Sequence, residues 1–190
     1  NKNKIKNIIL KKNFKKEKFK IIKLNFFYEK KIKKIKNIIK KKNDYLLTGK
    51  SFNADKLIEN LINNADDKMD LDIFSKNFNL YLKIDQVHLD KQSRISELQG
   101  NLSFVKNEVV NANLSASFSD EKKLNFTIRS DVDGKVTTLF LDKAEPIVKR
   151  YKFIKGYESG SLDFYSLKKG LKTNSTLKIY DFKLKELPAL

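Results

Sequence analysis

The sequence predicts a mainly β protein with a minor helical part, mostly antiparallel sheet carrying two short amphipathic helices. Three observations carry the prediction. From about Met69 onward apolar and polar residues alternate with period two in one segment after another, the pattern of strands with one apolar and one wet face. From Tyr45 onward only two short segments, one after Asn53 and one after Asp142, place apolar residues at helical spacing. No run approaches the roughly 18 consecutive apolar residues that a membrane-spanning helix needs.

Residues 1–44 form a Lys-rich segment of low complexity, yet Ile8, Leu10, Phe14, Phe19, Ile21, Leu24, Phe26 and Tyr28 recur through it. Leu24, Phe26 and Tyr28 alternate as a strand does. Ile32, Ile35, Ile38 and Ile39 fit either a helical stripe or two short strands with Lys outward. The segment reads as additional charged strands of the same sheet, with a basic amphipathic helix on anionic lipid as the competing reading. Regular apolar spacing argues against disorder.

In residues 45–190, Leu57, Ile58, Leu61 and Ile62 follow Ser51-Phe52-Asn53-Ala54-Asp55 at helical spacing, so a helix is predicted from about Ala54 to Asn63. Asn53 or Ser51 is its N-cap, and Asp55 sits at the positive end of the dipole. Asn64 to Asp67 break it. Phe78, Leu80, Leu82 and Ile84 then alternate with polar residues, Leu102 and Phe104 follow Gly100, and Val110 to Phe118 and Leu124 to Ile128 continue the series. The second helix is predicted from Asp142 or Lys143 to Phe153, with Pro146 tolerated in its first turn and Gly156 ending it. Two last strands carry Leu162, Phe164 and Leu167, then Leu177, Ile179, Phe182 and Leu184.

At 190 residues and 40% hydrophobic content the chain builds one or two modest cores. The absence of Cys excludes disulfides, thiolate catalysis and Cys-ligated zinc. A net charge of +18 points to an anionic partner, but only Arg94, Arg129 and Arg150 among 41 basic residues are arginines. Lys, Asn and Ile share AT-rich codons, so base composition alone accounts for much of the bias. Proteins that read bases rely on the Arg fork, so specific nucleic-acid recognition is disfavoured. The start, Asn1-Lys2-Asn3-Lys4, is not a signal peptide. The chain begins without Met and stops on Pro188-Ala189-Leu190, so a fragment of a longer protein is expected, with any targeting segment outside it.

No catalytic or cofactor constellation is legible. His88, with Asp85 and Asp90 nearby, lacks the ligand number of a zinc site and reads as a solvated strand residue. Asp66, Asp67, Asp70 and Asp72 lack the Gly and bidentate Glu of an EF-hand and read as a solvated loop. Gly156 and Gly160 precede a strand and suit a turn better than a phosphate loop. A hydrolytic triad would have to use His88, for which no nucleophile elbow exists. The expectation is a non-enzyme without cofactor or metal.

The run Ala144-Glu145-Pro146-Ile147-Val148-Lys149-Arg150-Tyr151, followed by Ile154-Lys155-Gly156-Tyr157-Glu158-Ser159-Gly160-Ser161-Leu162-Asp163-Phe164, resembles the helix, glycine turn and strand of AsmA-like C-terminal regions. The closing Leu177-Lys178-Ile179-Tyr180-Asp181-Phe182, running to Pro188-Ala189-Leu190, resembles the same family's last strand and exit. Leu47 to Ala54 resembles its entry to a helix, and Ile95 to Phe104 its internal strand pair. Lys143-Ala144-Glu145 stands where the family more often has an Asp-Ala-Gly run.

The resemblance covers roughly Tyr45 to Leu190 and implies a long, curved antiparallel sheet folded into a groove, anchored in the inner membrane by an N-terminal segment absent from this chain. It implies a periplasmic protein that moves phospholipid between inner and outer membranes or aids outer-membrane assembly. On that basis Phe78, Leu80, Leu82, Ile84, Val110, Leu114, Phe118, Leu124, Phe126 and Ile128 are candidates for a lipid-facing lining. Ordinary sandwich core has the same periodicity, and both readings stand at this point. The expected partners are phospholipid or an anionic membrane surface, together with envelope proteins. The alternative is a structural scaffold whose basic face docks on an anionic membrane or a protein partner.

Overall fold

A computed structural model describes residues 8–12, 20–26, 34–41, 43–55, 77–106, 108–150 and 156–185. The chain is mainly β, with very little helix and a mixed sheet not closed into a barrel. Eight strands carry the body of the sheet. They are β4 (Asp44–Asn53), β5 (Asn77–His88), β6 (Arg94–Val105), β7 (Glu108–Phe118), β8 (Lys123–Asp131), β9 (Gly134–Leu141), β10 (Tyr157–Lys169) and β11 (Lys172–Leu184). Three further strands, β1 (Ile8–Lys12), β2 (Lys20–Phe26) and β3 (Lys34–Lys41), extend it beyond β4. Spatial order follows sequence order throughout, each strand beside its predecessor.

All neighbours are antiparallel except β4 and β5, which are parallel, with Tyr45 opposite Leu80 and Leu47 opposite Leu82. The sheet is thus mostly antiparallel, as the sequence predicts, with this one parallel pair added. A parallel pair needs a crossover of about a dozen residues or more, and the long stretch between Asn53 and Asn77 supplies that length. The helix predicted from Ala54 to Asn63 lies in this stretch, outside the described residues but for its first positions. Asn53 Oδ1 accepts a hydrogen bond from the Asp55 backbone N–H at 2.9 Å, the bond expected of Asn53 as an N-cap. The acidic loop Asp66 to Asp72 is also outside the described residues.

The second predicted helix begins later than expected, as α1 (Glu145–Val148), with Pro146 in its first turn and Val148 buried. Ala144 stands at its N-cap without a side-chain bond, and its backbone N–H donates instead to Gly160 O at 2.8 Å. Residues 151–155 of the predicted helix lie outside the described residues. Ile95 to Phe104, likened above to a strand pair, is a single strand, β6, paired with β5 on one side and β7 on the other. The strand β9 was not predicted at all.

The core gathers at one end of the sheet around α1. Ile84, Val87 and Leu89 from β5 and its exit join Ile95, Ala116, Phe118, Leu141, Leu162, Tyr157, Ala144 and Val148 in one buried cluster. Five strand steps separate β5 from β10, about 24 Å on a flat sheet. Residues of both strands nonetheless share one buried cluster with α1, and Arg150 just after α1 donates to Leu89 O at the exit of β5, so the sheet curves. A second cluster, Tyr45, Phe78 and Phe104, closes the opposite end of β4 to β6. There the Phe78 and Phe104 rings stack at 4.3 Å, and Tyr45 meets Phe78 edge-on at 5.6 Å.

Two irregularities set which residues reach the core. Glu97 adopts φ 55°, and Glu97 and Leu98 together oppose Ala116, so a bulge in β6 shifts the core face from Leu98 to Ile95. A second shift pairs Phe104 with Val109.

Candidate functional site

Register assembles the inner face as rows running across the strands. One row contains Leu47, Leu82, Gly100, Leu114, Phe126, Leu139, Phe164 and Leu177, one residue from each strand from β4 to β11. None of them is fully buried, and Leu177 on the edge strand is 53% exposed. The flanking rows are better covered. On the α1 side Ile84, Ala116, Leu141 and Leu162 are buried, and on the other side Tyr45, Ala112 and Ile128 are buried.

The row is therefore a strip of half-covered apolar surface between two closed ends. Leu82, Leu114 and Phe126 occupy its middle and belong to neither buried cluster nor to the residues packed against them. Gly100 lies between Leu82 and Leu114 in the same row, at φ +140°. A Cβ there would stand 1.9 Å from the Asn113 carbonyl oxygen, so only glycine fits.

The ten candidate residues separate into three groups. Phe78, Ile84, Phe118 and Ile128 are buried. Leu80, Leu82, Leu114, Leu124 and Phe126 are half-buried on the inner face, with Leu80 packed on the Tyr45 cluster and Leu124 on the α1 cluster. Val110 is set apart, because the shift at Ser103 and Phe104 gives the place opposite Phe104 to Val109. Sequence reasoning missed Leu47, Leu139 and Phe164 as members of the row. Phe164 was legible as an alternating residue, Leu47 was hidden by its neighbour Leu46, and Leu139 stands in the unrecognised β9.

At the α1 end the surface is polar. A cleft of about 1120 Å³ is lined by Lys91, Arg94, Lys143, Lys149 and Arg150, with Asp55, Asp90 and Glu145 as counter-charges. Arg150 is committed internally, donating to Asp55 Oδ1 at 2.9 Å and to Leu89 O. His88 is half-buried on this rim, opposite Arg94 across the β5–β6 pair. Glu145 accepts the Ser159 backbone N–H at 2.7 Å. Burial raises the Tyr157 hydroxyl above its ordinary pKa, and the Glu145 carboxylate raises it further. Among the described residues no three His, Asp or Glu side chains gather as metal ligands, and no helix is long and apolar enough to cross a membrane.

No family model, no curated protein and no solved structure matches this chain.

Proposed function

We propose that this chain is part of a non-enzymatic, AsmA-like envelope protein that binds or guides phospholipid between the inner and outer membranes, or aids outer-membrane assembly. The observation that carries the reading is the half-covered row from Leu47 to Leu177, in which Leu82, Leu114 and Phe126 belong to neither buried cluster. Among the described residues α1 covers one end of the inner face, while the middle of the row stays half-covered and offers apolar surface to a partner. Acyl methylenes fit the chemistry, each gaining about 0.8 kcal/mol on leaving water. On this reading the protein works in the periplasm, held at the inner membrane by a segment outside this chain, with other envelope proteins as partners.

Native mass spectrometry with lipid extraction, on protein expressed in a bacterium, tests the reading. Copurifying phospholipid, lost in the double variant Leu114→Asp, Phe126→Asp while the far-UV spectrum stays β, is the expected result. Lipid-free protein that takes up no fluorescent phospholipid would sink it.

A second reading is favoured by the polar cleft, whose Lys91, Arg94, Lys143 and Lys149 gather positive charge at one end of the sheet. It makes the protein a scaffold docking on an anionic membrane. Liposome binding that falls steeply with salt, and is lost when Lys91, Lys143 and Lys149 are changed to Ala, would favour this reading over the lipid trough.

A further inference from the structure

The outer face of the sheet is polar over most of its area, with Asn79, Lys83, Asn101, Asn113 and Thr127 among its residues. It changes character at β9 to β11. Phe140, Tyr165 and Tyr180 stand there with 41%, 47% and 42% of their surface exposed. Register places them around one carboxylate. Asp163 pairs directly with Phe140 on β9, Tyr165 lies two residues along β10, and Tyr180 is diagonal to it on β11, opposite Ser161.

The four side chains line a cavity of about 440 Å³. Asp163 Oδ1 is enclosed and has no hydrogen-bond partner among the described residues. Enclosed carboxylate oxygens are nearly always bonded, so this atom calls for a donor or a cation. Lys178 faces Asp163 directly across β10 and β11, yet no ion pair within 4.0 Å joins them among the described residues. The three rings make no ring contact with one another among the described residues, which leaves their faces available.

Exposed aromatic rings around a carboxylate are the chemistry that holds an organic ammonium group, the rings through their π faces and the carboxylate through charge. We propose that Phe140, Tyr165, Tyr180 and Asp163 form a binding site for a methylated or primary organic ammonium, distinct from the inner apolar row. The ammonium comes either from a free small cation or from a phospholipid head group, and one chemistry serves both. Lys178 is its intramolecular competitor.

The test is titration of the whole chain with choline, followed by NMR of the tyrosine ring resonances. Saturable shifts at Tyr165 and Tyr180 are expected, with little response to the neutral isostere 3,3-dimethylbutan-1-ol. Asp163→Asn should weaken binding about tenfold, and Lys178→Met should strengthen it. Tyr165→Leu, at an exposed position, gives a variant that keeps the fold and loses the site. Vesicles of phosphatidylcholine that bind the protein and are displaced by free choline would assign the head-group source. Choline binding without vesicle binding would assign the free cation. Equal binding of the neutral isostere, or a choline response unchanged by Asp163→Asn, would overturn the proposal.

Discussion

Arg150 Nη2 lies 2.9 Å from Asp55 Oδ1, a contact between residues 95 positions apart in the chain. It ties the turn after α1 to the end of β4. The same guanidinium reaches Leu89 O and, through Nε, Pro146 O at 3.2 Å. One side chain thus holds together the strand ends that the curvature of the sheet brings round α1. The Arg150 side chain is 15% exposed but that of Asp55 is 38% exposed, so solvent screens the pair in part.

Removing that side chain strands several acceptors at once. Arg150→Ala should lower stability by about 2 kcal/mol, since it leaves the Asp55 carboxylate and the carbonyls of Asp55, Leu89 and Pro146 without this donor. Arg150→Lys should recover only part, because an ammonium cannot span four acceptors as the planar fork does. Urea unfolding of the three proteins checks this. Equal midpoints for wild type and Arg150→Ala would show that the clamp contributes nothing.

Gly100 makes a second prediction. An alanine Cβ would sit 1.9 Å from Asn113 O and 2.9 Å from Leu114 Cα, both backbone atoms of the neighbouring strand. Gly100→Ala should therefore cost about 3 kcal/mol or more, from strain at φ +140° and displacement of β7. Gly170→Ala is the control. Its Cβ meets nothing within 4 Å, and only the φ of +55° is unfavourable, so a loss of about 1 kcal/mol is expected in thermal unfolding.

How much of this was legible beforehand differs from residue to residue. Phe78 to Ile84 and Leu124 to Ile128 announced their strands because one face is apolar and the other polar. β9 stayed hidden because Leu139 and Leu141 point inward while Phe140 stands on the outer face, which erases the alternation. Val109 and Val110 are adjacent valines, and only the register shift opposite Phe104 decides between them. The parallel pairing of β4 with β5 is a long-range choice that periodicity does not carry. The Asp163 cage needed three strands in register before its residues became neighbours.

Tyr157 gives a pH prediction. Its side chain is 3% exposed, and its hydroxyl has no hydrogen-bond partner among the described residues. Burial first, then Glu145, raise its pKa above the ordinary 10.0. The folded state keeps the proton more tightly than the unfolded chain. The stabilising difference is fully present below pH 10.0 and is lost as pH rises through the folded value. Tyr157→Phe removes an unpaired hydroxyl, so it should be neutral or stabilising by about 1 kcal/mol at pH 7 and should lose less stability between pH 9 and pH 11. An alkaline stability profile identical to wild type would show that Tyr157 titrates as an ordinary phenol.

Glu158 and Lys185 give the acid counterpart at the ends of β10 and β11. Their 2.7 Å contact lowers the Glu158 pKa and raises that of Lys185, the hydrogen bond between them being the first cause in each case. The Glu158 contribution is present above its ordinary 4.5 and lost as pH falls through the lowered folded value. Both groups are exposed, so salt screens the pair. Glu158→Gln should therefore change thermal stability at low salt only, with the difference closing in 1 M NaCl; a difference that persisted in high salt would point to a packing effect instead.

The inner row itself can be probed without any lipid. Leu162 is 2% exposed and sits in the cluster around α1, so Leu162→Ala should cost about 3 kcal/mol, transfer and cavity combined. Leu114 is half-buried and belongs to neither cluster, so Leu114→Ala should cost about 1 kcal/mol or less. A closed sandwich core would make the two losses alike, because both leucines would then leave cavities in packed protein. An open row makes them differ, and added phospholipid should stabilise the wild type more than Leu114→Asp, since a ligand bound to the folded state alone raises its stability by mass action. Equal losses for the two alanine variants, measured by urea unfolding in lipid-free buffer, would mean that Leu114 lies in a closed core and that the row offers no surface for an acyl chain.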